Sequence, residues 1–174
     1  MTQNVPLVMT INVHEKPHFL MKQLENIKSF VTDDFVIILN CNDYMFNELK
    51  NFSLPEYVEI NPDIINKQAW TGLITKGIYS NMKYALKNFN FMYFIVLSSR
   101  NIFYNKMSVN DLTNSTVVHH ARTKDLSDWH WPDFIKTKIA QYYLNKSIEL
   151  HGCEHEGLVF TKNSCENIVN MLEN

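Results

Sequence analysis

The chain has 174 residues, 45% hydrophobic and 20% charged, the composition of one ordinary globular domain and not of a disordered or fibrous protein. Its 16 basic and 18 acidic residues are interleaved and leave a formal charge of −2, which excludes the electrostatic footprint of a nucleic-acid binder. Cys41, Cys153 and Cys165 show no CxxC spacing, and no apolar run reaches the roughly 18 residues that cross a bilayer. The expectation is a single domain over residues 1–174, cytoplasmic, without a membrane span, a disulfide framework or a zinc ribbon.

Pro6–Val13 is a short apolar run suited to a strand buried on both faces, and Pro17 supplies the fixed φ favoured in the first turn of a helix. Leu20, Leu24, Ile27 and Val31 then recur at spacings of four and three, which places them on one helical face, with the end expected near Asp33 and Asp34. Phe35–Leu39 is a second continuous apolar run and delivers Asn40, Cys41 and Asn42 at its tip. Tyr57–Ile60 reads as a short strand closed by Asn61-Pro62-Asp63. From Trp70 the apolar positions Leu73, Ile74, Gly77, Ile78, Ala85, Leu86 and Phe89 follow the 3.6-residue period and predict a long helix. Phe91–Leu97 is aromatic and β-branched, hence a strand, and ends in Ser98-Ser99-Arg100. Thr116–His119 is a further strand candidate. Pro132 opens a helix to about Lys146, Gly157–Thr161 is a strand, and Lys162–Leu172 a last helix.

Strands that alternate with helices point to an α/β three-layer sandwich with a mostly parallel, mixed central sheet flanked by helices. Ligands in such folds sit beyond the carboxyl ends of the strands. The polar tips Asn12–Glu15, Asn40–Asp43 and Ser98–Asn101 are therefore candidate ligand contacts.

Read together, VHEKPHFLMKQLENIK (Val13–Lys28), FVIILNCND (Phe35–Asp43), AWTGLITKGIYSNMKYAL (Ala69–Leu86), YFIVLSSRNIF (Tyr93–Phe103) and HGCEHEGLVFTKNSCENIVNML (His151–Leu172) resemble the core-2/I-branching family of β-glycosyltransferases. That family has a valine-histidine tip before a helix, a tryptophan opening a long helix, and a strand ending in Leu-Ser-Gly-x-Asp. The resemblance implies a shortened GT-A-like fold and inverting transfer of a sugar from a nucleotide donor, UDP-linked, to a glycan hydroxyl. It departs from the family at Ser98-Ser99-Arg100-Asn101, which replaces Ser-Gly-x-Asp, and at the second tip, where Asn40 or Asn42 takes the acidic position. A catalytically inactive relative that binds glycan or protein is the alternative expectation.

Such transfer needs a carboxylate to take the acceptor proton and positive charge at the leaving diphosphate. The sequence has no Asp-x-Asp for a divalent metal, so no metal or other cofactor is expected and Arg100, Arg122 and Lys124 are the candidate phosphate contacts. Glu154 and Glu156 flank His155 before a strand; alternate positions share a face, which makes either glutamate a candidate base. Glu15 is a further choice. Trp129, Trp131 and His155 are candidate acceptor contacts, although two tryptophans before Pro132 equally suit anchoring of a helix to the core. The resemblance assigns Asn12, Val13, His14, Asn40, Asn42, Trp70, Ser98, Ser99 and Arg100 to the donor. His14 and His18 are four apart but Pro17 intervenes and no third ligand is near, so no metal site is expected. No GxSxG, GxxxxGK or GxGxxG occurs, which argues against a serine hydrolase, a P-loop enzyme and a dinucleotide oxidoreductase.

Overall fold

The computed structural model describes residues 3–14, 16–66, 73–114, 132–147 and 157–173. The chain divides into two compact units, one formed by Met1–Asn114 with Glu156–Asn174 and the other by Ser115–His155.

The first unit is an α/β three-layer sandwich. Its elements in chain order are β1 (Gln3–Asn4), β2 (Leu7–Asn12), α1 (Pro17–Phe30), β3 (Phe35–Asn40), α2 (Asp43–Leu49), β4 (Val58–Ile60), α3 (described over Leu73–Asn88), β5 (Phe89–Asn90), β6 (Tyr93–Leu97), α4 (Val109–Asn114), β7 (Val159–Thr161) and α6 (Lys162–Glu173). A five-stranded sheet runs in the order β4-β3-β2-β6-β7, and β1 pairs with β5 separately. All neighbours in the large sheet are parallel except β6 and β7.

The alternation of side chains along β2 and β3 divides the core in two. Leu7, Met9, Ile11, Ile37 and Leu39 face α1 and α2 and pack with Leu20, Leu24, Ile27, Met45 and Leu49. Val8, Val36, Ile38, Phe94 and Val96 face α3 and α6 and pack with Met82, Ala85 and Cys165. Every residue of β2 and β3 is buried, as unbroken apolar runs in a covered parallel sheet require.

Several boundaries differ from the sequence reading. Helix α1 stops at Phe30, short of the aspartates, because Val31 turns extended and forms a parallel bridge with Met107. Helix α2 was not expected; Asn42 caps it by accepting from the Met45 amide at 2.8 Å. The expected start of α3 at Trp70 and the strand at Thr116–His119 lie outside the described residues. Phe89 belongs to β5, where it lies opposite Gln3. In the second unit Pro132–Lys136 is a 3₁₀ turn and the α-helix α5 covers Lys138–Leu144. The Thr137 hydroxyl accepts from the Ala140 amide at 3.3 Å, so a new helix is capped there and the first is not prolonged. Gly157, at φ 80°, makes the turn into β7 and donates its amide to the Val96 carbonyl at 2.7 Å.

The face under α3 is polar toward the strand tips. Asn81 donates to the Thr10 hydroxyl at 2.7 Å and to the Ile38 carbonyl at 3.0 Å. Asn61 donates to Asn81 Oδ1 at 2.8 Å and to Ser80 Oγ at 2.9 Å, and Ser80 donates to Asp63 at 2.5 Å. Thr10, Asn61, Ser80 and Asn81 are all buried, so the network is satisfied internally. Nearby, Tyr84 donates to Glu59 at 2.8 Å, and burial followed by this bond pushes its phenol up to about 12. Burial, then the charge of Glu166, likewise raises the Cys165 thiol to about 12, which leaves it protonated and inert.

Asn81→Leu takes a donor from the Thr10 hydroxyl and the Ile38 carbonyl and an acceptor from buried Asn61, and urea unfolding is expected to show a loss of about 2–4 kcal/mol. A phenol whose pKa is raised by folding stabilises the fold fully below its ordinary value of 10.0 and progressively less as pH rises toward about 12. Melting curves across that range should therefore fall more steeply for the native chain than for Tyr84→Phe.

Candidate functional site

From β2 the chain proceeds through β3 to β4 on one side, then returns to lay β6 against the other side of β2. The order of strands thus reverses at the β2/β6 boundary. Open α/β sheets bind ligands at such a reversal, outside the carboxyl ends of the strands. Asn12 lies opposite Asn40, and Ile11 opposite Leu97, so the tips of β2, β3 and β6 are adjacent and point the same way.

What each tip residue does there can be read from its bonds. Asn12 is buried and donates to the Ile74 carbonyl at 2.9 Å, which ties β2 to α3. Asn40 is buried and donates to the Asp63 carbonyl at 2.9 Å. Val13 is packed in the core beneath α1, and its amide donates to the Asn40 carbonyl at 2.9 Å. Asn42 is the cap of α2. These four candidate donor contacts are brought together, with the described polar bonds of the asparagines directed into the fold. His14 and Arg100 are more open to a ligand. The Ser99 hydroxyl lies 3.2 Å from His14 Nε2 across the β2/β6 boundary, and His14 Nδ1 lies 3.3 Å from the Asn12 carbonyl. Ser99 is buried whereas His14 and Arg100 are exposed.

The Ser98–Phe103 segment is fastened to α1. Gln23 Nε2 donates to the Ser98 carbonyl at 2.7 Å and to the Asn101 carbonyl at 2.9 Å. Asn26 exchanges two bonds with the backbone of Phe103, at 2.9 and 2.7 Å. Asn101 Oδ1 accepts from the Ser98 amide at 2.6 Å, which closes the turn on itself. Between this segment and α1 lies a cavity of about 380 Å³, walled by Phe19, Lys22 and Gln23 on one side and Ser99–Ile102 on the other.

Phe19, Lys22, Gln23 and Ile102 were not singled out from sequence. One signal was present: Gln23 falls within the buried stripe set by Leu20, Leu24 and Ile27, and a polar residue on such a stripe needs an internal partner. Trp70, Trp129, Trp131, Glu154, His155 and Glu156 lie outside the described residues, as do Glu15, Arg122 and Lys124. Among the described residues no group of three or more His, Cys, Asp or Glu side chains is placed to hold a metal ion, and no helix is long and apolar enough to cross a membrane.

No protein-family model matches this chain, and no curated protein matches it.

Gln23→Leu removes both bonds to the Ser98–Asn101 turn and leaves two carbonyls of half-buried residues without that donor. Amide hydrogen exchange in residues 98–103 is expected to accelerate by about one to two orders of magnitude, with the β2 and β3 amides little changed. Uniform acceleration throughout the sheet would show that the glutamine holds the whole fold and not this segment.

Proposed function

We propose that the chain is an inverting glycosyltransferase that uses a nucleotide-sugar donor, UDP-linked, and a glycan hydroxyl as acceptor. The observation that supports it most is the meeting of the β2, β3 and β6 tips at the reversal of strand order, with Arg100 on the turn that follows β6. A guanidinium there suits a leaving diphosphate, since it stays charged and can bond two phosphate oxygens at once. The fold class fits the GT-A-like resemblance read from the sequence.

In this reading the donor lies over His14, Ser98, Ser99 and Arg100, with Asn12, Asn40 and Asn42 shaping the floor. The acceptor oxygen attacks the anomeric carbon as the bond to the diphosphate breaks, and the diphosphate departs with that electron pair. Glu154 or Glu156 takes the acceptor proton, so charge balances without a covalent enzyme intermediate. Trp129, Trp131 and His155 hold the acceptor sugar. Trp70 supports the donor side. No metal or other cofactor is invoked.

A second reading is an inactive relative that binds a glycan or protein. It is favoured by the internal bonds of Asn12, Asn40 and Asn42, which direct these side chains toward structure.

Thermal-shift measurement with UDP-sugars and GDP-sugars, followed by a donor-hydrolysis assay, tests the proposal. A UDP-sugar at about 100 times its Kd adds about 2.7 kcal/mol, or roughly 5–10 °C for a chain of this size. Arg100→Ala should lose most of that shift. Glu154→Gln and Glu156→Gln separate the two readings, because loss of the base removes turnover and leaves binding intact. No stabilisation by any nucleotide sugar would sink the transferase.

A further inference from the structure

The strand tips border both faces of the sheet, and the side chains around them divide between the two. Asn12 bonds to Ile74 of α3, and Asn40 bonds to the Asp63 carbonyl. The cavity of about 380 Å³ lies on the other face, beside α1, and Ser99 and Arg100 of the proposed donor site form part of its wall. A donor over the tips therefore borders this cavity through those two residues. Whatever fills the cavity is a neighbour of the donor.

The rest of the wall is of two kinds. Phe19, on α1, and Ile102, on the segment after β6, are large apolar side chains left 54% and 70% exposed. Gln23 is buried and directs its amide nitrogen to the Ser98 and Asn101 carbonyls, while its Oε1 has no hydrogen-bond partner among the described residues. A buried amide oxygen without a donor is satisfied by an O–H or N–H and disfavours an anion. Hydrocarbon left in water is covered by a ring or an alkyl chain. The occupant that answers both is neutral, an apolar group joined to a hydroxyl-bearing one. A volume of this size lies at the small end of ligand sites and takes one ring or a short chain.

Resting on the transferase reading above, we propose that the acceptor is a glycoside with an apolar aglycone, aryl or alkyl, which seats between Phe19 and Ile102 with a sugar hydroxyl toward Gln23. The glycosidic bond forms at another hydroxyl of that acceptor as the bond from the anomeric carbon to the diphosphate breaks. UDP leaves with the electron pair, the acceptor proton passes to the carboxylate base, and the bond to the aglycone stays intact. The aglycone holds the acceptor and takes no part in the chemistry, so its signature lies in KM and not in kcat.

The test is transfer by the full chain from whichever UDP-sugar stabilises it most to the methyl, phenyl and octyl β-glycosides of galactose, N-acetylgalactosamine, glucose and N-acetylglucosamine, with product followed by mass. For the sugar that accepts, KM of the phenyl or octyl glycoside is expected to be at least about tenfold below that of the methyl glycoside at similar kcat. Phe19→Ala with Ile102→Ala should bring that ratio to about one. Both side chains are exposed, so an unchanged melting temperature is the folding control. The thermal shift given by the UDP-sugar alone should persist in the double variant; its loss would place the two side chains on the donor and overturn the proposal. Amide chemical shifts give a readout free of turnover: with UDP present, the phenyl glycoside should perturb residues 19–23 and 99–102 more strongly than the methyl glycoside does. Equal KM for methyl, phenyl and octyl glycosides overturns the aglycone site and leaves the transferase standing. Stabilisation by a UDP-sugar without transfer to any of these glycosides overturns the acceptor assignment. Neither stabilisation nor transfer sinks the transferase, and the aglycone site with it.

Discussion

The central position of β2 constrains everything else in the first unit. Its six residues are buried, and it is parallel to both of its neighbours, β3 and β6. A parallel pair cannot be joined by a hairpin, so each connection must cross a face of the sheet. Helix α1 makes the crossing to β3 on one face, and α3 precedes β6 on the other. The polar ends of three strands are then forced to one edge, with a helix beside them on each face. The cluster of His14, Ser99 and Arg100 is a product of connectivity as much as of the residues themselves.

The two faces are fixed by different means. Under α1 the contact is hydrocarbon, with Leu20, Leu24 and Ile27 against the odd-numbered residues of β2. Under α3 it is mixed, because Ser80 and Asn81 occupy buried helix positions and bond to Thr10, Asn61 and the Ile38 carbonyl. Apolar packing sets how closely layers approach but tolerates sliding by small amounts. A hydrogen-bond network under α3 admits one register, since a shift of one residue would leave several buried groups unpaired. The tips that depend on that register, Asn12 through Ile74 and Asn40 through Asp63, inherit its definition.

The strongly patterned segments were legible in the sequence. Continuous apolar runs gave β2, β3 and β6 to within two residues, and the spacing of Leu20, Leu24 and Ile27 gave α1, because those patterns are imposed by burial. What escaped was governed by local hydrogen bonds. The cap at Asn42 started α2 in a stretch read as a strand tip, and the bridge from Val31 to Met107 ended α1 early. On α3 the period was right but the face was shifted: Ile74 is exposed whereas Ser80 and Asn81 are buried. Hydropathy assigns polar residues to water, and it fails where a buried partner is waiting for them. The cavity beside Gln23 was invisible for a related reason, since its walls come from segments more than seventy-five residues apart and only the fold brings them together.

The antiparallel strand β7 covers the flank of β6 through Val159, Phe160 and Thr161. Until that stretch has been synthesised, β6 is a parallel strand with one bare side, rich in aromatic and β-branched residues and well suited to pair with a stranger. While Ser115–His155 leaves the ribosome that side of β6 stays uncovered, and Val159, Phe160 and Thr161 are the residues that close it.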